Sequence, residues 1–502
     1  MRTIKALKNA ITSIILQIVT FICGLIVPRL ILENFGSDVN GLINSITQFL
    51  AYITLLESGF GPVVKSILYK PIAKKDKNQI ELILKSTEHF FRLIALIFII
   101  YIAILCVVYP MFVNSQFDSM YTVSLILIIA ISTFAEYFFG MTYKLYLQAE
   151  QKAYVTSTIQ ISTLIINTIL IVILINFGAN IQIVKLGSAL VFIFRPILQN
   201  IYVKRKYNIN LKNVEKGYNI EQKWDGLAQH IAGVVHGNTD VTILTIFSTM
   251  KEVSVYTVYN LVVTGIRNVV TILSNSIDSA FGDMIAKKEK ENLNKKFSMY
   301  ELVYYTLITI IYSCAIVLIV PFVQVYTKGI TDVNYTRNIF AYIFVFAYFI
   351  HAIKTPYNTL AYTAGKFKQT QKGAWVEAIS NLVISLILVH RLGLVGVAIG
   401  TLISVTIRGI EFLIFSSKNI LDRKISKTFI RSIISMVELL VIMIIGEVII
   451  DFNDISYLNW IVQGIEIFLV SIIIVIPINL IYYKEERKEL INLMKKLVKK
   501  GV

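Results

Sequence analysis

The sequence predicts an all-α polytopic membrane protein with about fourteen transmembrane helices. Three observations support this fold class: 56% of the 502 residues are hydrophobic and only 16% are charged, mean hydropathy is +0.69, and apolar runs such as 96–108 are nearly continuous. A transmembrane β-barrel would instead alternate apolar and polar residues in segments of about ten. Because a bilayer core needs roughly 20 apolar residues per helix, helices are the predicted element.

Charged or turn-forming residues separate the apolar runs into candidate membrane spans. The first run follows Arg2, Lys5 and Lys8 but carries no A-x-A cleavage site, so we expect a retained helix rather than a signal peptide. The predicted spans are 10–33, 39–66, 90–113, 119–145, 153–177, 181–203, 226–249, 252–283, 298–326, 337–363, 374–390, 393–416, 429–450 and 457–482.

The basic residues predict how these spans are oriented. Of the 48 Lys and Arg residues, 37 lie at the two termini or in alternate connections, whereas the opposite connections hold four. Since Lys and Arg collect in cytoplasmic loops, both termini are predicted to be cytoplasmic. The net charge of +17 is therefore interpreted as a topology signal, and no nucleic-acid binding is expected. The basic tail suits either a helix on an anionic leaflet or a solvated segment.

An internal repeat divides the chain. Segment 143–197 resembles 357–410, and within them 187–197 matches 400–410 at a constant offset of 213. Both halves begin on the cytoplasmic side, so the repeat is predicted to be parallel, an arrangement that supports alternating access in transporters. The predicted domains are an N-terminal six-helix bundle at 1–203, a cytoplasmic linker at 204–225, a C-terminal six-helix bundle at 226–417, two additional transmembrane helices at 418–483 and a basic cytoplasmic tail at 484–502.

Six motifs, taken in order along the chain, resemble those of a known family. They are Val27-Pro-Arg-Leu-Ile-Leu, Phe35-Gly-Ser-Asp-Val-Asn-Gly41, Leu55-Leu-Glu-Ser-Gly-Phe-Gly61, Ala364-Gly-Lys-Phe-Lys-Gln-Thr, Glu377-Ala-Ile-Ser-Asn381 and Gly393-Leu-Val-Gly-Val-Ala-Ile-Gly-Thr401. Over essentially its whole length the chain resembles bacterial polysaccharide flippases of the Wzx type, within the multidrug/oligosaccharidyl-lipid/polysaccharide exporter superfamily.

That resemblance implies a multi-pass protein of the bacterial cytoplasmic membrane that is not an enzyme. It implies a flippase that carries undecaprenyl-diphosphate-linked oligosaccharide across the lipid bilayer, for capsule or O-antigen-type polysaccharide synthesis. H⁺ or Na⁺ is a candidate coupling ion, and a polysaccharide polymerase and glycosyltransferases are candidate partners. No cofactor is expected.

Arg267 is the clearest candidate for substrate binding. It lies at the middle of the predicted span 252–283, where an ionisable side chain needs a partner, a wet cavity or a function. Polar residues share its helical face at steps of three or four. They are Asn260, Thr264, Thr271, Ser274 and Asp278. A guanidinium on such a face suits a diphosphate, which accepts bidentate hydrogen bonds; the alternative is a stripe that packs against another polar helix.

The other substrate-binding candidates are Arg29, Gln48, Glu136 and Lys354. Arg29 lies near the outer end of the first span, where snorkelling to the surface is the alternative. Gln48 belongs to a polar strip on the second span. Glu136 lies near the centre of its span and is either a cavity residue or a counter-charge for Lys354 or Arg267.

His236 and Asp240, one helical turn apart, are the candidates for ion coupling. A proton-coupling role, an ion pair with Arg267 and a polar packing contact remain as alternatives. The cysteines lie far apart inside apolar runs, and the sequence carries no metal-ligand spacing. No metal site is therefore predicted.

Three competing functions remain open. A lipid II flippase would bind the same carrier diphosphate, and a cation-coupled multidrug antiporter of the same superfamily would favour carboxylates in its cavity. A membrane polysaccharide polymerase or glycosyltransferase would need a large outer loop or a catalytic acidic motif. The longest predicted outer connection spans only about a dozen residues around 327–337, and neither Asp-x-Asp nor a phosphate-binding loop occurs.

Overall fold

The helices follow the apolar runs of the sequence. The structure, a computed structural model, describes residues 2–57, 59–113, 116–211, 214, 227–275, 278–450 and 454–499, without the side chains of 2–3, 227–229, 236, 273, 275, 278–279 and 493–499. All regular secondary structure in these residues is helical, and eleven of their helical segments are long and apolar enough to cross a membrane. The prediction of an all-α multi-pass membrane protein is confirmed, while the count of about fourteen spans and the cytoplasmic termini stay predictions.

The helices are numbered in chain order. They are α1 Arg2–Ala51, α2 Thr54–Glu57, α3 Phe60–Lys74, α4 Lys77–Val113, α5 Ser119–Ala135, α6 Met141–Ala149, α7 Ala153–Asn176, α8 Ile181–Tyr207, α9 Leu227–Phe247, α10 Met250–Asn275, α11 Asp278–Ala286, α12 Lys290–Tyr326, α13 Asn338–Thr363, α14 Gln371–Leu392, α15 Leu394–Asn419, α16 Ile425–Ile449, α17 Tyr457–Tyr482 and α18 Lys484–Lys499. A π-helical turn, Glu136–Gly140, joins α5 to α6. The chain forms two compact units, Met1–Ser254 and Val255–Val502.

The first unit differs from the predicted spans at its beginning. Helix α1 runs through the first span into the second, with a kink at Gly36, whose φ of 83° is left-handed and favours glycine. The second predicted span then breaks after Ala51 into α2 and α3. Most of the predicted linker at 204–225 lies outside the described residues, so that boundary stays a prediction.

Helix α12 forms the core of the second unit. In its most apolar 18-residue window 78% of the residues are buried, against 6% in the window of the first helix. Helices α13, α16, α17 and α18 all pack against α12. A helical segment that is apolar on every side belongs in an interior. The apolar part of α12 is accordingly buried inside the unit, with α16, α17 and α18 packed against the helix.

A buried carboxylate ties these helices together. Glu301 on α12 has no exposed surface. Arg423, which precedes α16, donates to both of its oxygens, at 2.7 and 2.5 Å. Arg431 of α16 donates to it as well, and so does the Tyr357 hydroxyl of α13. The charges are paired and hydrogen-bonded, which is what a buried charge requires.

The same arginine holds the C-terminal helix. Arg431 also forms an ion pair with Glu486 in the first turn of α18, and Lys427 Nζ lies 3.2 Å from that carboxylate. One turn further on, Glu489 pairs with Lys295 of α12 at 2.6 Å. The first turns of the tail are therefore a helix fixed to the second unit by ion pairs.

Replacing Glu301 tests this network. We expect Glu301→Gln to destabilise the protein by about 3–5 kcal/mol, because it removes the buried carboxylate that pairs with Arg423 and one of the two carboxylates that pair with Arg431. The measurement is thermal unfolding of the detergent-purified chain. Glu291→Gln, an exposed carboxylate on the same helix, is the matched control and should change stability by less than about 0.5 kcal/mol. Equal melting temperatures for the two variants would contradict the network.

The attachment of α18 should depend on pH. Burial raises the pKa of Glu486, but Arg431 and Lys427 outweigh it, so the pKa lies below its ordinary value of 4.5. A lowered pKa stabilises the folded state above the ordinary pKa, and this contribution is lost as pH falls through the folded value. Hydrogen exchange over 484–492, corrected for intrinsic rates, should therefore show full protection at pH 7 and loss below about pH 4.

Two variants separate Glu486 from its neighbour. Glu486→Gln should leave α18 weakly protected at both pH values, since the group that titrates is gone. Glu485→Gln, one residue away at an exposed position, should keep the wild-type pH dependence. A Glu486→Gln variant that retains this dependence would assign the effect to another group.

Candidate substrate-binding residues

Arg267 and two of its predicted partners lie together on α10. The Arg267 guanidinium carbon is 5.7 Å from the ring centroid of Tyr348 on α13, within cation–π range. The Tyr348 hydroxyl donates to Asn260 Oδ1 at 3.3 Å, and Thr264 Oγ1 donates to the same oxygen at 3.2 Å. Further along the stripe, the hydroxyls of Ser274 and Thr359 are 3.3 Å apart. The polar stripe of α10 thus faces α13 through several side chains.

Arg267 has no carboxylate partner among the described residues. Its half-buried side chain forms no ion pair with an Asp or Glu of the described residues, whereas Lys354, Arg408 and Arg431 each form at least one. A cation that is partly removed from water and not neutralised by an acid retains its capacity to bind an anion.

Lys354 belongs to a separate, closed network. Its side chain is 5% exposed and its Nζ lies 2.5 Å from Glu377 Oε1 of α14. Arg408 of α15 is 3.6 Å from the other oxygen of Glu377 and 2.5 Å from Glu411. Arg408 also donates to the Thr370 carbonyl at 2.7 Å. Two cations and two carboxylates neutralise one another here, so Lys354 is bound to protein partners and enclosed.

A contact of this network can be compared between the two segments that resemble each other in sequence. Arg195 and Arg408 occupy matching positions of the repeat, and so do Thr163 and Glu377, since Asn167 aligns with Asn381. Arg195 Nε donates to Thr163 Oγ1 at 2.7 Å, where Arg408 Nε meets Glu377. Each pair joins helices at matching positions, α7 to α8 and α14 to α15, so the second half has an ion pair where the first half has a hydrogen bond from arginine to a hydroxyl.

The candidates of the first unit lie in different places. Arg29 forms an ion pair with Glu33 one turn along α1. Gln48 is half-buried on α1 beyond the kink. Glu136 begins the π-helical turn, and its counter-charge is Lys144, at 2.8 Å. Glu136 was predicted as a cavity residue or as a counter-charge for Lys354 or Arg267, and in the structure it pairs with Lys144 instead.

Asp240 lies at a buried position on α9, 6% exposed. Further along the same helix, the Thr242 hydroxyl lies 2.8 Å from that of Tyr52, and the Thr245 hydroxyl lies 2.6 Å from that of Ser45. The side chain of His236 lies outside the described residues, so the pairing of His236 with Asp240 stays a prediction.

Three residues that contact the cations of these sites were not predicted from the sequence. Glu377 and Glu301 are the acids to which the buried cations bind, and Tyr348 is the ring beneath Arg267. Glu377 had a signal, because an acid inside a predicted span needs a cation. Tyr348 had no such signal, since one aromatic residue among many on an apolar helix is usually part of the hydrophobic core.

A double-mutant cycle tests whether Lys354 has a structural role. Lys354→Met should lower the melting temperature, since Glu377 loses its closest cation. Glu377→Gln should do the same, and the double variant should be less destabilised than the sum of the two, with coupling of about 0.5–3 kcal/mol. Lys368→Met removes an exposed lysine instead and should leave stability unchanged. Additive effects at 354 and 377 would reject the pair.

The fold is similar to those of solved membrane transporters. No family model and no curated protein matches the sequence. Among solved structures, the lipid II flippase MurJ in an inward closed conformation is similar over 95% of this chain and 99% of its own, at 16% identity and a TM-score of 0.67. An inward-facing MATE family transporter of the MOP superfamily gives 0.59, with 16% identity over 84% of this chain and 99% of its own.

A further neighbour is a MOP superfamily transporter from Pyrococcus furiosus, described as having a binding pocket of reverse polarity. Its TM-score is 0.55, at 15% identity, over 84% of this chain and 96% of its own. These three neighbours are transporters or a flippase rather than enzymes. The chain therefore has the fold of the lipid II flippase MurJ and the MATE transporters, which confirms at the level of the fold the resemblance carried by its motifs.

Proposed function

We propose that this protein is a flippase that moves undecaprenyl-diphosphate-linked oligosaccharide across the bacterial cytoplasmic membrane. The observation that carries the proposal is Arg267, a cation on a helix of a MurJ-like fold with no acidic partner among the described residues. A diphosphate is the anionic part of such a substrate, and a guanidinium binds its oxygens in a bidentate manner.

The neighbours of Arg267 suit the rest of the head group. Tyr348 offers an aromatic face, and Asn260 and Thr264 offer an amide and a hydroxyl beside it. Apolar and aromatic walls with a few placed polar groups are typical of small-molecule sites. We propose that the diphosphate binds Arg267 while the sugars contact this polar face of α10.

The other cations have smaller roles in the proposal. Arg29 already has Glu33 as a partner, and Lys354 reaches a substrate only if its pair with Glu377 opens. The internal repeat supports alternating access as the transport mode. Asp240, with His236, is the proposed place for coupling to H⁺ or Na⁺, because a buried ionisable group in a membrane helix is costly without a role.

A lipid II flippase is the second candidate, favoured by the likeness to MurJ along nearly the whole chain. Lipid II carries a diphosphate on the same carrier, so Arg267 serves both substrates equally. A multidrug antiporter fits less well, because cationic drugs would be repelled by an arginine that no acid of the described residues neutralises. A polymerase or glycosyltransferase would have to act alongside this protein, as a partner that consumes or supplies its substrate.

Arg267→Ala tests the proposal in cells. We expect at least a tenfold loss of surface polysaccharide in a complementation assay, because one good charged contact to phosphate accounts for about that factor or more. The amount of protein in the membrane should be normal. Arg267→Lys should recover only part of the activity, since an ammonium cannot bind in a bidentate manner.

Arg391→Ala is the matched control, because Arg391 is an exposed arginine at the end of α14. It should leave export unchanged. Wild-type surface glycan in cells with Arg267→Ala would reject the proposed role of Arg267.

Reconstitution in liposomes separates the candidate functions. Undecaprenyl-diphosphate oligosaccharide, lipid II and a cationic drug are offered in separate arms, each with and without a pH or Na⁺ gradient. The proposal expects the oligosaccharide lipid to reach the opposite leaflet fastest. Flipping of lipid II alone would select the second candidate, and movement of the drug alone would select the antiporter.

A further inference from the structure

A basic cleft lies where α16 begins and α17 passes into α18. It has a volume of about 600 Å³ and opens to the outside of the protein. Its cations are Lys424, Lys427, Arg431 and Lys484. These residues lie in the two trailing helices and the C-terminal helix, away from Arg267.

The cleft carries a surplus of positive charge. Its four cations face two carboxylates, Glu485 and Glu486. Glu486 is already bound by Arg431 and Lys427, and Glu301 behind Arg431 is also balanced by Arg423. Lys424 and Lys484 are exposed and form no ion pair among the described residues. Two lysines are therefore available to an anion.

The rim of the cleft has a different character. Ile430 of α16 and Tyr482 of α17 line it, with 46% and 40% of their surfaces exposed. Both belong to helices long and apolar enough to cross a membrane, and Tyr482 is the last residue of its span. Tyrosine is enriched at the level of the lipid head groups. The cleft therefore combines basic side chains with apolar ones that belong to the predicted membrane helices.

We propose that this cleft binds the phosphate of an anionic phospholipid from the leaflet on that side of the membrane, which the charge pattern predicts to be cytoplasmic. Basic pockets between transmembrane helices on this side are typical sites for anionic lipid head groups. The lysines pair with the phosphate and the acyl chains run along Ile430 into the bilayer. A free phosphate would use the lysines but leave the apolar rim in water.

The site gives the trailing helices a role distinct from transport at Arg267. Arg431 forms the base of the cleft and also connects Glu301 of α12 to Glu486 of α18. A lipid phosphate at Lys424 and Lys484 adds a negative charge next to this chain of ion pairs. Bound lipid thereby strengthens the hold of α16 and α18 on the core helix.

Native mass spectrometry of the delipidated full-length chain tests the site. Cardiolipin, phosphatidylglycerol, phosphatidylcholine and inorganic phosphate are titrated separately. We expect the two anionic lipids to bind and to raise the melting temperature, with phosphatidylcholine much weaker. Lys424→Gln combined with Lys484→Gln should weaken binding of the anionic lipids roughly 30-fold, from the usual contribution of two lysines near an anionic surface.

Two further double variants test whether the loss of lipid binding is specific to the charges of the cleft. Lys368→Gln with Lys372→Gln removes the same charge from exposed positions elsewhere and should keep wild-type binding. Lys424→Arg with Lys484→Arg should bind like wild type, and unchanged melting temperatures without lipid show that the variants fold. Equal loss in both Gln pairs, equal binding of phosphatidylcholine, or inorganic phosphate that binds as tightly as the lipids would each overturn the proposal.

Discussion

The structure depends on one constraint: a charge in a membrane helix has no water to solvate it and must find a partner within the protein. In the second unit this requirement links helices that are distant in sequence. Glu301 of α12 holds Arg423 and Arg431, 122 and 130 residues away. Glu377 of α14 holds Lys354 and Arg408 from the helices on either side of it in the chain. Packing of apolar side chains is not directional, so these pairs specify which helix faces which.

Arg267 is informative because it departs from this rule. It has an aromatic ring and polar neighbours but no acid within the described residues. Pairing it with a carboxylate would have been the stable solution, as it is for Lys354 and Arg408. A cation left available in this way suits an anionic substrate that arrives and leaves, because the charge is neutralised only while the substrate is bound.

Helix α16 and the C-terminal helix α18 are held in place by the same kind of charge pairing. Arg431 donates to Glu301 with one nitrogen and to Glu486 with another, so one guanidinium links the core helix to the C-terminal helix, which Glu489 also joins to α12 through Lys295. The planar, five-donor geometry of arginine suits this double contact, because a different nitrogen donates to each carboxylate. The adjacent cleft contains Lys424 and Lys484, which form no ion pair within the part of the chain that the structure describes.

The sequence by itself determined the membrane class, the helical fold and most helix positions, because hydropathy and charge act locally and along the chain, whereas the internal repeat stays a prediction. It also selected Arg267 with Asn260 and Thr264, since they share one face of one helix. The tertiary structure decided which charges meet. Lys354, predicted from the sequence to bind substrate, lies beside Glu377 in the structure, and Arg423 and Arg431 lie beside Glu301. Partner choice depends on how helices pack across long sequence separations, and a periodic pattern within one helix holds no information about that.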